Sequence, residues 1–593
     1  MSEYSAPLDD IRFVLENVVD LPALSKFPAY EHVDADSIHS ILEENARFME
    51  QLVAPLNHSG DVQHSRWDAG TVVTPDGFRD AYQQYVAAGW GGVPFPADYD
   101  GGGFPWLVGI AMQEIMQEAN LAFSMCPLLT QGAIDLLLHH SSEDQKEKYL
   151  RKMVSGEWTG TMNLTEPQAG SDVGAITTKA VPAGDGSWRI TGQKIFITFG
   201  EHDMAEQIIH LVLARVPDAP PGTKGISCFI VPKFLVDDDG NLGERNTLQC
   251  VSIESKMGIN ASPTCVMAYE DAVGYLIGEP NSGMRYMFTM MNNARLSVGL
   301  QGLALGERAY QRAVAYAQER RQGRAPGAPA GEQSLIVDLP DVRRMLLTMR
   351  AINEAMRALV YLNAECLDHA AQNPDPEVRQ QRQELADLLT PITKGWGTDM
   401  GVEVTSLAIQ VFGGMGYIEE TGVAQYYRDA RIAPIYEGTN GIQAMDLVGR
   451  KLPMRAGGVV TDFLATVEAT AAEVTAAGDA LAPIGDRLAA GHKVLKEATE
   501  WLMANGLADP TNALAGATPY LRMSGTVVGG WLLARSALAA QRRLDAGASG
   551  AEQSLLQQKI VTARFYCDQI LPTADGLLAA VTAGPQDLVA AAF

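Results

Sequence analysis

The sequence predicts a mainly helical protein with a central antiparallel β domain and an extra helical domain at its C-terminal end. Three observations carry this. Early in the chain apolar residues recur at helical spacing, as in Ile38, Ile41, Leu42 and Phe48. From about Trp158 to about Asp271 short β-rich runs alternate with Gly, Pro and Asp turns. Long helical patterns then return, and the last of them are Ala-rich and run to Phe593.

Taken in order, the pattern divides into five parts. Residues 1–35 hold short amphipathic pieces such as Ile11-Arg12-Phe13-Val14-Leu15 and read as an N-terminal arm. Residues 36–157 read as a helical domain interrupted by Gly89-Trp90-Gly91-Gly92 and Gly101-Gly102-Gly103. Neither run follows a clear strand or fits a phosphate-binding pattern, so both read as turns. Residues 158–275 form the β domain, with strands expected at Trp188–Thr191, Lys194–Thr198, Ile208–Leu213 and Ser227–Val231. Residues 276–455 form a second helical domain with helices within Ala304–Gln318, Val342–Cys366 and Gly401–Phe412. A linker at Ala456-Gly457-Gly458 opens the C-terminal helical domain, 456–593.

Composition excludes several classes. The 593 residues are 47% hydrophobic and 20% charged, which is ordinary for a globular chain. Asp+Glu outnumber Lys+Arg by 71 to 45, a formal net charge of −26. So acidic a chain is a poor partner for nucleic acid or an anionic membrane. The six cysteines form no C-x-x-C pair and no cluster with histidine, so free thiols and no metal site are expected. Met1-Ser2-Glu3-Tyr4-Ser5 lacks a basic region followed by an apolar one, and no uncharged apolar run reaches about 18 residues. A cytoplasmic location is the expectation.

Two stretches stand out chemically. In Ile435-Tyr436-Glu437-Gly438-Thr439-Asn440-Gly441 a short strand-like apolar piece ends in a carboxylate followed at once by glycine. Thr439 or Asn440 can cap a helix running on through Val448 and Lys451. Glu437 thus sits on a tight turn at a helix mouth, either as a reactive carboxylate or as a first-turn residue favoured by the helix dipole. The second stretch, Met162-Asn163-Leu164-Thr165-Glu166-Pro167-Gln168-Ala169-Gly170-Ser171-Asp172, places small residues and hydroxyls after a strand. Such a loop can offer N–H groups to a flat ring or a phosphate. Alone, it reads as an ordinary β-turn.

Together and in this order, the helical domain, the T-E-P-x-A-G-S-D loop, the F-I-T strand, the second helical domain and I-Y-E-G-T resemble the acyl-CoA dehydrogenase family over residues 35–455. The length, the extra C-terminal domain and Pro340-Asp341-Val342-Arg343-Arg344-Met345 are most similar to a longer bacterial branch that includes 3-methylmercaptopropionyl-CoA dehydrogenases.

The resemblance implies FAD as cofactor and α,β-dehydrogenation of an acyl-CoA thioester, 3-methylmercaptopropionyl-CoA or a fatty acyl-CoA, with Glu437 as the base. It implies that Met162, Leu164 and Thr165 lie along the flavin, with Gly170 and Ser171 at the loop end. Phe196 and Thr198 would cover the ring's other side, Phe196 standing where many members have Trp. Arg320 would grip the pyrophosphate of a neighbouring subunit's FAD, which makes a homodimer the expected assembly. Gln410, Gly413 and Gly414 would contact the adenylate part, and Thr439 an FAD phosphate. Asn292, Arg295 and Gly438, with Ser171, would meet the substrate. Electron-transfer flavoprotein is the implied acceptor. An acyl-CoA oxidase and a non-dehydrogenase flavoprotein of the same fold are the alternatives, the latter disfavoured by the −26 charge.

Overall fold

The computed structural model describes residues 4–593. Met1, Ser2 and Glu3, which open the segment read as lacking a leader pattern, lie outside the described residues. The chain forms two compact units, one built from Glu44–Ser297 and the other from Met1–Glu43 together with Val298–Phe593.

The Glu44–Ser297 unit combines helices and sheet. Its longest apolar helix, Leu121–His140, starts at Asn120, whose side chain accepts from the Phe123 N–H. By length and composition this helix could cross a membrane, but 89% of the relevant window is buried within the protein. The next helix, Glu143–Ser155, opens with a capping box between Ser142 and Gln145. A small hairpin, Arg66–Asp68 with Thr71–Val73, interrupts the helical region and was not expected from the sequence.

The sheet has seven strands: β1 Trp158–Asn163, β2 Lys179–Pro182, β3 Trp188–Thr198, β4 Gln207–Ala214, β5 Ser227–Pro232, β6 Leu248–Ile253 and β7 Thr264–Leu276. Their order is β1-β4-β5-β7-β3-β2, with β6 also on β7. The sheet is mixed, which corrects the expectation of a purely antiparallel domain, because β1 runs parallel to β4. The 43 residues between Asn163 and Gln207 leave room for the crossover a parallel pair requires. Helix Leu121–His140 packs on β1 so closely that a Cβ at Gly160 would lie 2.5 Å from the Ala133 Cβ. The Thr130 hydroxyl accepts from the Gly160 N–H at 3.0 Å. These contacts fix the strand that leads to the T-E-P loop.

In the other unit, Pro340–Gln372 and Pro376–Phe412 form a helical pair, joined through the Asp375 cap, on which the later elements assemble. The Val298–Glu319 part of helix Gly283–Glu319 meets Pro376–Phe412 through glycines. A Cβ on Gly302 would lie 2.2 Å from the Gly397 carbonyl oxygen, so no larger residue allows this approach. Four long helices, Gly458–Ala476, Ala482–Ala508, Pro510–Asp545 and Gly550–Gln569, follow in its C-terminal part. The N-terminal arm contains the helix Leu8–Asn17, which buries Ile11, Phe13, Val14 and Leu15. The arm is tied down by Arg535 donating to the Val18 carbonyl, by Tyr30 donating to Asp368 at 2.8 Å, and by the Lys559–Asp10 ion pair.

Candidate active site

Within the Glu44–Ser297 unit, Met162 is half-buried on β1. Its neighbours Thr161 and Asn163 point to the opposite, fully buried face. There the Tyr269 hydroxyl donates to Asn163 at 2.8 Å, Asn163 donates to Thr161 at 2.8 Å, and the Thr161 hydroxyl meets His210 Nδ1 at 2.7 Å. This satisfied polar row fixes which way the alternating Met162 must face.

The T-E-P loop and the F-I-T strand come together. The Ile195 N–H donates to the Thr165 carbonyl at 2.9 Å. Beside it, β3 pairs Lys194 with Met267 and Ile197 with Cys265, so Ile195 and Phe196 oppose one residue. This is a β-bulge, and Phe196 takes a left-handed φ of 59° with 59% of its surface exposed. A non-glycine residue held left-handed, with its ring presented to solvent, marks a built feature. Thr198 ends β3, half-buried, opposite Thr264.

The loop is pinned from inside by two residues not singled out from the sequence. Lys194 is fully buried and donates to the Leu164 carbonyl at 3.0 Å and to Glu166 Oε1 at 2.8 Å. The Glu166 carboxylate also accepts from Gln168 and from the N–H and hydroxyl of both Thr177 and Thr178. Burial pushes the Glu166 carboxyl up, but Lys194 and these donors win and hold it at about 2. The signal was present: Lys194 falls on the inward side of a strand whose alternation asks for an apolar residue. Leu164 is buried; Gly170 and Ser171 are exposed at the loop end. A Cβ at Gly170 would meet nothing within 4 Å, so neither packing nor a positive φ asks for glycine there.

Asn292 lies exposed on helix Gly283–Glu319, and Arg295, one turn on, is 8% exposed. Arg295 donates to Asn292 Oδ1 at 3.4 Å and stacks 6.0 Å from the Phe288 ring centre.

In the other unit Glu437 occupies a turn. The strand expected at Ile435-Tyr436 does not form, because the Ile435 and Tyr436 N–H groups both turn back to the Ile432 carbonyl at 2.8 and 3.2 Å. Glu437 has φ 57° and Gly438 φ 82°, two left-handed residues in succession. Thr439 caps the helix Asn440–Asp446, its hydroxyl accepting from the Ile442 N–H at 3.3 Å, and the helical path runs on as Leu447–Lys451. Tyr436 donates to Gln301. Burial, with the Glu437 carboxylate close by, pushes the Tyr436 phenol well above its ordinary value.

The helix end that bears Arg320 packs on the helix end that bears Gln410, Gly413 and Gly414. Tyr316, one turn before Arg320, stacks on Phe412 with ring centres 4.2 Å apart at 12°. Arg320 is exposed at the helix end, and its backbone is held by bonds to Tyr316 and Ile336. Gln410 is exposed on the last turn of Pro376–Phe412. Gly413 ends that helix at φ 60°, ψ −140°, a conformation that demands glycine. At Gly414 neither conformation nor packing demands it, as at Gly170. Among the described residues no three His, Cys, Asp or Glu side chains group as a metal site would.

Residues 36–157, 161–272 and 281–452 match the models of the N-terminal, middle and C-terminal domains of acyl-CoA dehydrogenases. Residues 463–592 match a model described as acetyl-CoA dehydrogenase C-terminal like. A 3-methylmercaptopropionyl-CoA dehydrogenase from Ruegeria pomeroyi is 48% identical over 96% of both chains. The chain belongs to the acyl-CoA dehydrogenase family. As a member it is an oxidoreductase, and its fold follows the family over nearly the full length. A Caenorhabditis elegans ACDH-11 structure in complex with C11-CoA superposes with a TM-score of 0.77 at 19% identity, covering 96% of this chain and 93% of that one. A Bacillus anthracis acyl-CoA dehydrogenase complexed with FAD gives 0.71 at 21%, covering 98% and 92%.

Proposed function

We propose that this acyl-CoA dehydrogenase binds FAD and removes a proton from Cα and a hydride from Cβ of an acyl-CoA thioester, with Glu437 as the base. The observation that carries it is Glu437 itself, a carboxylate held left-handed on the turn just before the helix that Thr439 caps.

The residues present fit FAD. Phe196 offers an exposed ring beside the T-E-P backbone, and a flat heteroaromatic group can stack on it. Gly170 and Gly414 leave open the space a Cβ would fill. Arg320 presents an exposed side chain at its helix end, and a guanidinium is suited to a pyrophosphate. The Thr439 hydroxyl accepts from its own helix and keeps its hydrogen to donate to a phosphate. FAD, when bound, supplies the acceptor for the hydride leaving Cβ.

The chain's own residues do the rest. The Glu437 carboxylate takes the Cα proton, and its backbone N–H donates to the thioester carbonyl as charge builds there. The 48% identity to the Ruegeria enzyme makes 3-methylmercaptopropionyl-CoA the first substrate to test. Electron-transfer flavoprotein as acceptor, a role in acyl-chain β-oxidation, a homodimer served by Arg320 and a cytoplasmic setting complete the proposal. All six cysteines are buried and free, as suits a reducing compartment.

The test is anaerobic mixing with methylthiopropionyl-, butyryl-, octanoyl- and palmitoyl-CoA while the flavin absorbance is followed. The parent protein bleaches with its best substrate, and Glu437→Gln loses about 10²- to 10⁴-fold in rate. A protein that cannot be loaded with FAD, or a Glu437→Gln variant that bleaches as fast as its parent, overturns the reading.

A further inference from the structure

We propose that Lys394 and Asn440 form a positioning clamp that fixes the Glu437 turn, an inference that rests on Glu437 being the base. A non-glycine residue held left-handed, as Glu437 is, persists where its surroundings over-determine it, whereas Gly438 takes φ 82° freely. Here the surroundings come from one stretch of helix Pro376–Phe412. Lys394 is fully buried and donates to the Gly438 carbonyl at 2.8 Å and to Asn440 Oδ1 at 2.9 Å.

The other side of the Asn440 amide faces acceptors. Its Nδ2 lies 2.7 Å from Asp399 Oδ1, 3.0 Å from the Gly395 carbonyl and 3.0 Å from the Thr398 hydroxyl. A flipped amide would set NH₂ against the Lys394 amine and oxygen against the Asp399 carboxylate, so only one orientation is satisfied. Gln443 adds a second grip from the helix that follows the turn, its Nε2 reaching the Glu437 and Gly438 carbonyls at 3.4 and 3.3 Å.

These contacts reach the turn through carbonyl oxygens and hold the peptide planes on either side of Gly438. The Glu437–Gly438 plane is one of the two that set the Glu437 Cα–Cβ direction; the other, which carries the Glu437 N–H, is held from the Tyr436 side through Gln301 and Ile432. The clamp is itself anchored, because the helix that bears Lys394 is locked at the Gly302–Gly397 approach. Thr439 already caps the following helix, so the helix start does not need Lys394. Lys394 and Asn440 are therefore positioning residues, acting through the backbone of Glu437.

The experiment uses the FAD-loaded protein and the variants Lys394→Met, Asn440→Ala and Lys394→Arg, with Glu437→Gln alongside. Two readouts are taken besides turnover: amide hydrogen exchange of the peptide spanning residues 435–443, and incorporation of deuterium at Cα of butyryl-CoA in D₂O, read by mass spectrometry. Lys394→Met and Asn440→Ala speed amide exchange in the turn and slow Cα deuteration about 10- to 100-fold, with butyryl-CoA affinity unchanged. Lys394→Arg, still able to donate to the Gly438 carbonyl, recovers part of the loss. Cα deuteration at the parent rate in both Lys394→Met and Asn440→Ala overturns the clamp. If Lys394→Met does not fold, Asn440→Ala decides alone. If Glu437→Gln deuterates like the parent, the base assignment falls; if Glu437→Gln is silent while the clamp variants are normal, the clamp falls and the base stands.

Discussion

The bulge at Phe196 and the turn at Glu437 lie in different units, yet they are built alike. Each holds a non-glycine residue left-handed, φ 59° and φ 57°. Each is braced by a fully buried lysine that donates to one backbone carbonyl and one side-chain oxygen: Lys194 to Leu164 and Glu166, Lys394 to Gly438 and Asn440. The difference is in the second oxygen. At Phe196 it is a carboxylate, so the brace is an ion pair. At Glu437 it is an amide, and the carboxylate of Asp399 stands one hydrogen bond further off. A platform for stacking has to stay still, and an ion pair with six donors around Glu166 does that.

The largest effect that separates the two braces is on stability. Lys194→Met strands the buried Glu166 carboxylate and costs about 3–5 kcal/mol. Lys394→Met removes one donor from the Gly438 carbonyl and one from Asn440 Oδ1, each of which keeps another in Gln443 and the Thr398 hydroxyl, and costs about 1 kcal/mol. Urea unfolding of both variants, compared with the parent, checks this, and equal losses would mean that the two braces do not differ.

Acid sharpens it further. Folding holds Glu166 at about 2, below its ordinary 4.5, so its contribution to stability is complete above pH 4.5 and is lost as pH falls towards 2. Stability of the parent therefore drops through that window, and Glu166→Gln, already weakened at pH 7, shows a shallower drop. Equilibrium unfolding at a series of acidic pH values gives the two slopes.

Smaller effects are expected at the ligand-facing positions. Gly414→Ala leaves stability within about 1 kcal/mol, since nothing within 4 Å meets the new methyl, but weakens FAD retention. Phe196→Ala removes an exposed ring, so stability shifts by about 0.5 kcal/mol or less, while FAD affinity falls by roughly two- to tenfold. Fluorescence titration of the apoprotein with FAD measures both. Unchanged FAD affinity in both variants would remove Phe196 and Gly414 from the cofactor site.

Much of this was legible in the sequence because it is local. The order of helical and β regions follows from periodicity. The turn at Glu437 follows from glycine and a capping threonine within a few residues, and the T-E-P loop from its turn formers. What stayed hidden depends on distant partners. Lys194 meets Glu166 across 28 residues and Lys394 meets Gly438 across 44. The left-handed φ of Phe196 comes from a register fixed by β7, which lies some seventy residues away in sequence. The parallel β1–β4 pair is long-range in the same way. Ile435-Tyr436 misled for the converse reason: two apolar residues look like a strand, but a strand needs a partner, and their N–H groups are spent on Ile432.

The division of the chain also fixes an order of assembly during synthesis. Glu44–Ser297 is continuous, so all of it has left the ribosome before most of the other unit exists. The arm, by contrast, is made before the rest of its unit and completed late, since Asp10 waits 549 residues for Lys559. At about 5–20 residues per second that wait lasts roughly half a minute to two minutes. For that time Ile11, Phe13, Val14 and Leu15, all buried in the finished protein, have no finished surface to join. The nascent N-terminal helix is thus the segment on which a cellular chaperone would act longest.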